Sequence, residues 1–103
     1  MTILWSDQAV AAFWSIRDRL FERFGIETEN NYLTEVNDAL LQVASFPNSG
    51  VPEYELSADG SVRSILVRKL TRIIYYVEDD VLYVADVWEL RQNPETLLSR
   101  FEK

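Results

Sequence analysis

Two residue types that carry much of protein chemistry are missing from this chain. Its 103 residues include no cysteine and no histidine. Without cysteine there is neither a disulfide nor a thiolate nucleophile. Without histidine the chain lacks the usual general base near neutral pH and the commonest ligand for zinc. A disulfide-free small domain fits a reducing compartment, so we expect a cytoplasmic protein.

Glycine and proline are scarce as well, with three of each, whereas 48 % of the residues are hydrophobic and 13 % aromatic. This composition is typical of a compact globular chain rather than a disordered one. No apolar run approaches the roughly 20 residues of a membrane span, and the first residues lack a signal-peptide pattern. We expect a single domain over residues 1–103 that does not contact a membrane.

Positive charge is also in short supply. The formal net charge is −7, and residues 1–57 hold 9 acidic but only 3 basic side chains. Binding to a polyanion gains its affinity from cations that neutralise phosphates. The charge therefore disfavours tight binding to nucleic acid.

The first half of the chain has mainly helical periodicity. Thr2–Trp5 is a short apolar run, expected to be a strand, and Ser6 is a candidate cap for the first helix. The apolar stripe of that helix is read as Val10, Phe13, Trp14, Ile16, Arg17, Leu20, Phe21 and Phe24. Gly25 ends it. A second helix, with Leu33, Val36, Leu40 and Val43 on one side, ends before Pro47. The two should form an antiparallel hairpin that packs on a sheet.

The second half changes to the alternating pattern of strands. Strands are predicted at Tyr54–Leu56, Val62–Val67, Arg72–Val77 and Val81–Trp88, and a short terminal helix at Thr96–Phe101. The predicted order is β-α-α-β-β-β-β-α, which is an α+β fold.

The acidic pair Asp79-Asp80 is read as the turn of a hairpin, because acidic turns are far commoner than magnesium sites. That turn pairs Tyr76 with Tyr83 and Arg72 with Val87. The predicted core face carries Ile73, Tyr75, Val77, Leu82, Val84 and Trp88, with Asp86 as an exception that needs a partner. The opposite face carries Arg72, Ile74, Tyr76, Tyr83, Ala85, Val87, Glu89 and Arg91.

The charged end of that second face has two interpretations. Glu89 and Arg72 form a cross-strand ion pair of little consequence, or they line a cleft with Arg91, Arg63 and Lys69. The apolar centre of the face favours a partner-binding patch, unless the terminal helix covers it. We expect no metal and no cofactor, since the chain has no glycine-rich phosphate loop and no histidine.

Four features in this order resemble the RelE/ParE toxin superfamily of bacterial toxin–antitoxin pairs. They are LQVASFPNSG from Leu41 to Gly50, an arginine on the first long strand at Arg63, RIIYYV-x-DD from Arg72 to Asp80, and a last strand ending in VWELRQNP. The resemblance covers nearly the whole chain. It implies a twisted antiparallel sheet with the N-terminal helical hairpin on one face.

The resemblance implies one of two activities. RelE-like toxins cut messenger RNA on the ribosome, whereas ParE-like toxins bind DNA gyrase, and a partner antitoxin silences both kinds. In the nuclease branch, Arg72 would contact the scissile phosphate, and Arg63 and Lys69 would hold RNA. Glu89 would lie about where nucleases of this type have a histidine, near the end of the last strand. Glu53 or Glu55 could then serve as a base.

The missing histidine and the acidic charge favour the ParE-like branch. We therefore expect a toxin that is not an enzyme, binds a protein such as gyrase and is neutralised by a cognate antitoxin, with a second copy as a further candidate partner. The alternatives are a ribosome-dependent endoribonuclease and a non-toxic member that binds only its antitoxin. The predicted contacts to target or antitoxin are Arg72, Ile74, Tyr76, Tyr83, Val87, Glu89 and Arg91.

Overall fold

The computed structural model describes residues 1–90, and their elements follow the predicted order closely. The chain forms β1 (Thr2–Trp5), α1 (Asp7–Phe24), α2 (Ile26–Ser45), a 3-10 turn (Pro47–Ser49), β2 (Val51–Pro52), β3 (Arg63–Val67), β4 (Thr71–Glu78) and β5 (Val81–Glu89). The strand order in the sheet is β1-β5-β4-β3-β2. The predicted α+β fold class is confirmed.

Two strands differ from the expectation. β1 pairs with β5 in parallel, which makes the sheet mixed, while the other pairs are antiparallel. The strand predicted at Tyr54–Leu56 is wrong, because those residues form turns and the short strand lies at Val51–Pro52. Proline has no backbone N–H to donate, so this strand suits a sheet edge. The predicted terminal helix lies outside the described residues.

Helix α1 begins and ends with the predicted caps. The Ser6 hydroxyl accepts a hydrogen bond from the backbone N–H of Ala9 at 3.0 Å, which satisfies one of the free donors of the first turn. At the other end Gly25 has a φ of 89°, a value that favours glycine and lets the chain turn directly into α2. Neither helix within residues 1–90 is both long and apolar enough to cross a membrane.

The helical hairpin packs on one face of the sheet. Ile16, Tyr32 and Val43 from the helices are buried against Ile73 and Leu82 from the sheet. The Tyr32 hydroxyl shares a 3.0 Å hydrogen bond with the Thr71 hydroxyl inside this core. A buried polar group loses little free energy when it is paired in this way.

Burial of two tyrosines links stability to alkaline pH. Desolvation raises the pKa of Tyr32 and of Tyr75, and hydrogen bonds from Thr71 and Gly50 oppose the shift only in part. Above about pH 10 the unfolded chain loses these protons while the folded chain keeps them. The free energy of unfolding should then fall as pH rises. Urea unfolding at neutral pH and above pH 10 should show this fall. If the free energy of unfolding falls as much with pH in Tyr32→Phe and Tyr75→Phe as in the unmodified protein, the two tyrosines are not its cause.

A β-bulge at Ala85 changes the register that the sequence suggested. Near the turn Tyr76 lies opposite Tyr83, as predicted, but Tyr75 pairs with Val84 and Ile74 pairs with Asp86. Ala85 is the extra residue, and its carbonyl accepts the Ser6 hydroxyl at 2.8 Å. One inserted residue turns every later side chain of the strand to the other face. The predicted pairing of Arg72 with Val87 is therefore wrong, and Arg72 lies opposite Trp88.

The turn between β4 and β5 places two aspartates in the left-handed region, with φ of 51° at Asp79 and 61° at Asp80. Two-residue turns of this type prefer Asn-Gly, because other residues lose free energy at positive φ. Asp79→Asn combined with Asp80→Gly should raise the free energy of unfolding by about 1 kcal/mol, because left-handed strain is relieved, and urea denaturation measures this change. Alanine at both positions removes the same charges and should lower stability. If the double alanine variant were instead more stable, the effect would come from the removed charges rather than from backbone strain.

Candidate protein-binding surface

The side of the sheet away from the helices is called the far face here, and it carries Ser64, Leu66, Arg72, Ile74, Tyr76 and Tyr83. Arg72 Nη1 lies 3.2 Å from the Ser64 hydroxyl and 3.5 Å from Glu53 Oε1. The same hydroxyl donates to Glu53 Oε1 at 2.6 Å. The Arg72 guanidinium is therefore balanced by a carboxylate from the chain after β2. The predicted partner of Arg72, Glu89, does not lie beside it.

Glu89 lies on the helix side of the sheet, because it follows the bulge and pairs with Thr71. It is buried and forms an ion pair with Arg19 of α1, whose Nη1 donates to Oε2 at 3.0 Å. The predicted placement of Glu89 on the same face as Arg72 is thus wrong. The strand-end carboxylate anchors α1 to β5.

The other predicted cations are also dispersed. Arg63 lies on the helix side of β3, opposite Tyr75, and Nη1 donates to the carbonyls of Gly50 at 2.7 Å and Asn48 at 3.2 Å. Lys69 is exposed in the turn between β3 and β4, with a φ of 56°. The proposed nuclease set of Arg63, Lys69, Arg72 and Glu89 is not brought together. Arg91 lies outside the described residues.

The apolar centre of the predicted patch is only partly accessible. Val87 belongs to the helix-side core, so its predicted place on the far face is wrong. Ile74 lies on the far face but is buried, as is Trp88, which the bulge turns away from the predicted core face. Tyr76 and Tyr83 are half-buried and stack with ring centroids 5.0 Å apart. The terminal helix that was expected as a possible cover of this patch lies outside the described residues.

Asp86 has the partner that its position requires. Its side chain is fully buried, and Oδ2 accepts a hydrogen bond from Gln8 Nε2 at 2.8 Å. This contact joins the first turn of α1 to the bulged part of β5. Among the described residues, no group of three or more acidic side chains is arranged to hold a metal ion.

A second apolar stripe runs along the outside of α1. Val10, Trp14, Phe21 and Phe24 are 39 %, 52 %, 52 % and 65 % exposed. Their spacing of 4, 7 and 3 residues places them on one line of the helix. Contiguous exposed apolar surface of this kind usually marks a binding site. We refer to these four residues as the α1 stripe.

Arg17 lies in the middle of the α1 stripe and holds it in place. Its guanidinium carbon is 4.3 Å from the centre of the Trp14 ring, a cation–π distance, and Nε is 3.6 Å from Glu29 Oε2 of α2. Trp14 is thereby backed by an ion pair between the two helices. A large ring held in one orientation loses little entropy when a partner binds it.

The sequence predicts that the whole apolar side of α1 packs on the sheet, and for the four residues of the α1 stripe that prediction is wrong. The side of α1 that packs on the sheet carries Ala9, Ile16 and Leu20, with Phe13 at its margin. The spacing of Ala9, Phe13, Ile16 and Leu20 by 4, 3 and 4 residues places these side chains on one side of the helix and could have indicated the buried side. A helix with two apolar lines about 100° apart has more apolar surface than one sheet face can bury.

Comparisons with known proteins agree with this architecture. A family model described as the ParE toxin of the type II toxin–antitoxin system parDE matches residues 3–94. A search of curated protein sequences gave no match. Among solved structures, the fold is similar to a chain of a "Chromosomal ParDE TA system from P. aeruginosa", with a TM-score of 0.70 and 15 % identity over 88 % of this chain and 97 % of that chain. Because the family model spans most of its length, this chain belongs to the ParE toxin family of type II toxin–antitoxin systems.

Proposed function

We propose that this toxin acts by binding a protein target, with DNA gyrase as the target that its family implies, and that a cognate antitoxin neutralises it. The α1 stripe is the observation that carries the proposal. Four large apolar side chains in line on an exposed helix are unfavourable in water and favourable in a protein interface. They offer no chemistry for cleaving RNA.

The charges support the same conclusion. Arg63 donates to a backbone carbonyl, and Arg72 and Arg19 are each paired with a carboxylate. A nuclease on the ribosome has to sit among phosphates, and a net charge of −7 opposes that. Binding to a protein surface has no such requirement.

The antitoxin is proposed to bind the α1 stripe. Helix α2, which lies beside the stripe, contains four acidic residues and no basic one. An amphipathic helix with basic residues next to its apolar side would complement this surface. On the far face, Arg72, Tyr76 and Tyr83 remain proposed contacts for the target.

Induced expression in a bacterial host tests the proposed target. Gyrase inhibition should produce filamentous cells, arrested replication and a DNA-damage response while transcripts stay intact. The purified protein should also inhibit supercoiling by gyrase. Rapid cleavage of transcripts would contradict the proposal, and normal growth would indicate a member that binds only its antitoxin.

One observation favours a second candidate function. Glu53, Ser64 and Arg72 place a carboxylate, a hydroxyl and a guanidinium together on the far face, and a carboxylate with an arginine can serve phosphodiester cleavage. The variant Arg72→Ala separates the two functions. If the toxin acts by binding a protein, transcripts should stay intact both with and without this substitution, whereas a nuclease should lose cleavage by about a hundredfold or more. Transcript integrity after induction is the measurement.

A further inference from the structure

Arg17 interrupts an otherwise apolar line on the outside of α1. The members of this line are separated by 4, 3, 4 and 3 residues, and they are Val10, Trp14, Arg17, Phe21 and Phe24. This alternation is the spacing of the a and d positions in a coiled coil. The line extends over about 21 Å of helix. It suits a single partner helix that packs along α1, because the partner's own a and d side chains can interlock with it.

The guanidinium of Arg17 has hydrogen-bonding capacity that the folded chain leaves unused. Its Nε is buried and has no hydrogen-bond partner among the described residues, because Glu29 Oε2, at 3.6 Å, is beyond hydrogen-bond distance. The guanidinium carbon lies 4.3 Å from the centre of the Trp14 ring and 5.8 Å from that of Phe13. Only 20 % of the Arg17 side chain is exposed. A charged group that can only donate hydrogen bonds is thus held in a largely apolar setting.

A partner that covers the α1 stripe also removes the remaining water from Arg17. If the partner places an apolar side chain there, the guanidinium loses hydration and gains no hydrogen bond, which is unfavourable. A carboxylate can instead accept two parallel hydrogen bonds from a guanidinium. A single polar residue in a coiled-coil seam also fixes the register of the two helices. The chemistry of Arg17 therefore favours an acidic residue in the partner and disfavours an apolar one.

We propose that Arg17 determines which helix the α1 stripe accepts, namely one with an apolar a/d line and a single aspartate or glutamate opposite Arg17. This inference rests on the proposed binding of the antitoxin to the α1 stripe, and it names the side chain by which the antitoxin would be selected. Lysine or arginine beside the apolar line of the partner meets the acidic residues of α2 and balances the added carboxylate.

A second copy of α1 fits this surface less well. Arg17 lies at the centre of the line, so two copies aligned along its whole length would bring their Arg17 side chains together, whether parallel or antiparallel. Like charges that meet in an interface are unfavourable. Each molecule also has a net charge of −7, which adds to the repulsion. A partner helix with a central acidic residue replaces the contact between two arginines by an attraction.

Capped helical peptides test the inference on the intact protein. Each peptide has leucine at the a and d positions and lysine beside them, and the central core position holds either glutamate or leucine. Isothermal titration calorimetry should show that the glutamate peptide binds about tenfold or more tighter than the leucine peptide. In Arg17→Leu the order of the two affinities should reverse. Equal affinity of both peptides for the unmodified protein would overturn the inference and would leave the assignment of the antitoxin to the α1 stripe intact.

Two further variants identify the cause of any preference between the peptides. Arg23→Leu removes the same charge from an exposed position in the last turn of α1, outside the line, and should keep the preference for glutamate. Trp14→Ser combined with Phe21→Ser should abolish binding of both peptides, because it removes the surface that they occupy.

Three results would count against the proposal. If Arg23→Leu loses the preference as fully as Arg17→Leu does, net charge rather than Arg17 is the cause. If the glutamate peptide still binds the double serine variant, it occupies another surface. A dimer of the unmodified protein that the double serine variant no longer forms, measured by light scattering, would assign the α1 stripe to a second copy. The affinity of the antitoxin itself for the double serine variant tests the proposed function separately.

Discussion

Gly50→Ala is expected to lower the free energy of unfolding by about 3 kcal/mol. A Cβ at this position would overlap the Tyr75 hydroxyl and would lie 2.7 Å from Tyr75 Cε1 and 2.8 Å from the Ser64 carbonyl oxygen. The φ of Gly50 is −76°, which suits any residue. The requirement for glycine here comes from the close approach of β4, not from backbone strain.

The same position explains the proline–glycine spacing at the end of α2. The Tyr75 hydroxyl donates to the Pro47 carbonyl at 2.8 Å and accepts the Gly50 N–H at 3.0 Å. Pro47 starts the turn that carries Gly50 back to β4, so one tyrosine ties the helical hairpin to the sheet. Alanine at Gly50 would break both hydrogen bonds as well as the packing.

Urea denaturation measures the effect, and a neighbouring variant controls it. Asn48→Ala changes an exposed side chain in the same turn and keeps the carbonyl that binds Arg63. It should change stability by less than about 0.5 kcal/mol. If Gly50→Ala lowers the free energy of unfolding as little as Asn48→Ala does, the turn can move away from Tyr75.

Trp14→Ser combined with Phe21→Ser should abolish binding of the cognate antitoxin. Buried aromatic anchors each contribute about 2 kcal/mol or more to a protein interface, so the loss of both should weaken the complex by about a thousandfold. Both side chains are about half exposed, so their removal should leave the helical circular dichroism intact. The proposed outcome in cells is a toxin that its antitoxin no longer rescues.

Surface plasmon resonance with the cognate antitoxin provides the measurement. Leu41→Ser combined with Phe46→Ser removes comparable exposed apolar surface at the far end of α2 and serves as the matched control. If the control pair weakens binding as much as the α1 pair, the antitoxin does not use the α1 stripe. Unchanged affinity in the α1 pair would reject the assignment directly.

The elements and the hairpin turn could be predicted because they rest on local physical chemistry. Ser6 and Gly25 mark the limits of α1 through caps that act within one turn. Asp79 and Asp80 mark the β4–β5 turn, and the register close to that turn follows from its length alone. Family resemblance then placed the helices on one face of the sheet.

The register beyond Ala85 could not be read from the chain. A bulge leaves the apolar alternation of β5 ambiguous, since Val84, Val87 and Trp88 can satisfy either face. The inserted residue is accommodated by Ser6 and Gln8, which lie almost eighty positions earlier. Those contacts exist only once β1 has paired with β5, and they decide that Glu89 meets Arg19 rather than Arg72.

The sequence by itself determined which segments of this protein form the two helices and the longer strands, because capping, periodicity and turn geometry act over a few residues. Only the tertiary structure decided which apolar line of α1 is buried, because that choice depends on how much sheet surface the helix can cover. It also decided on which side each charged residue lies, because a single inserted residue far from the turn reverses the faces of the last strand.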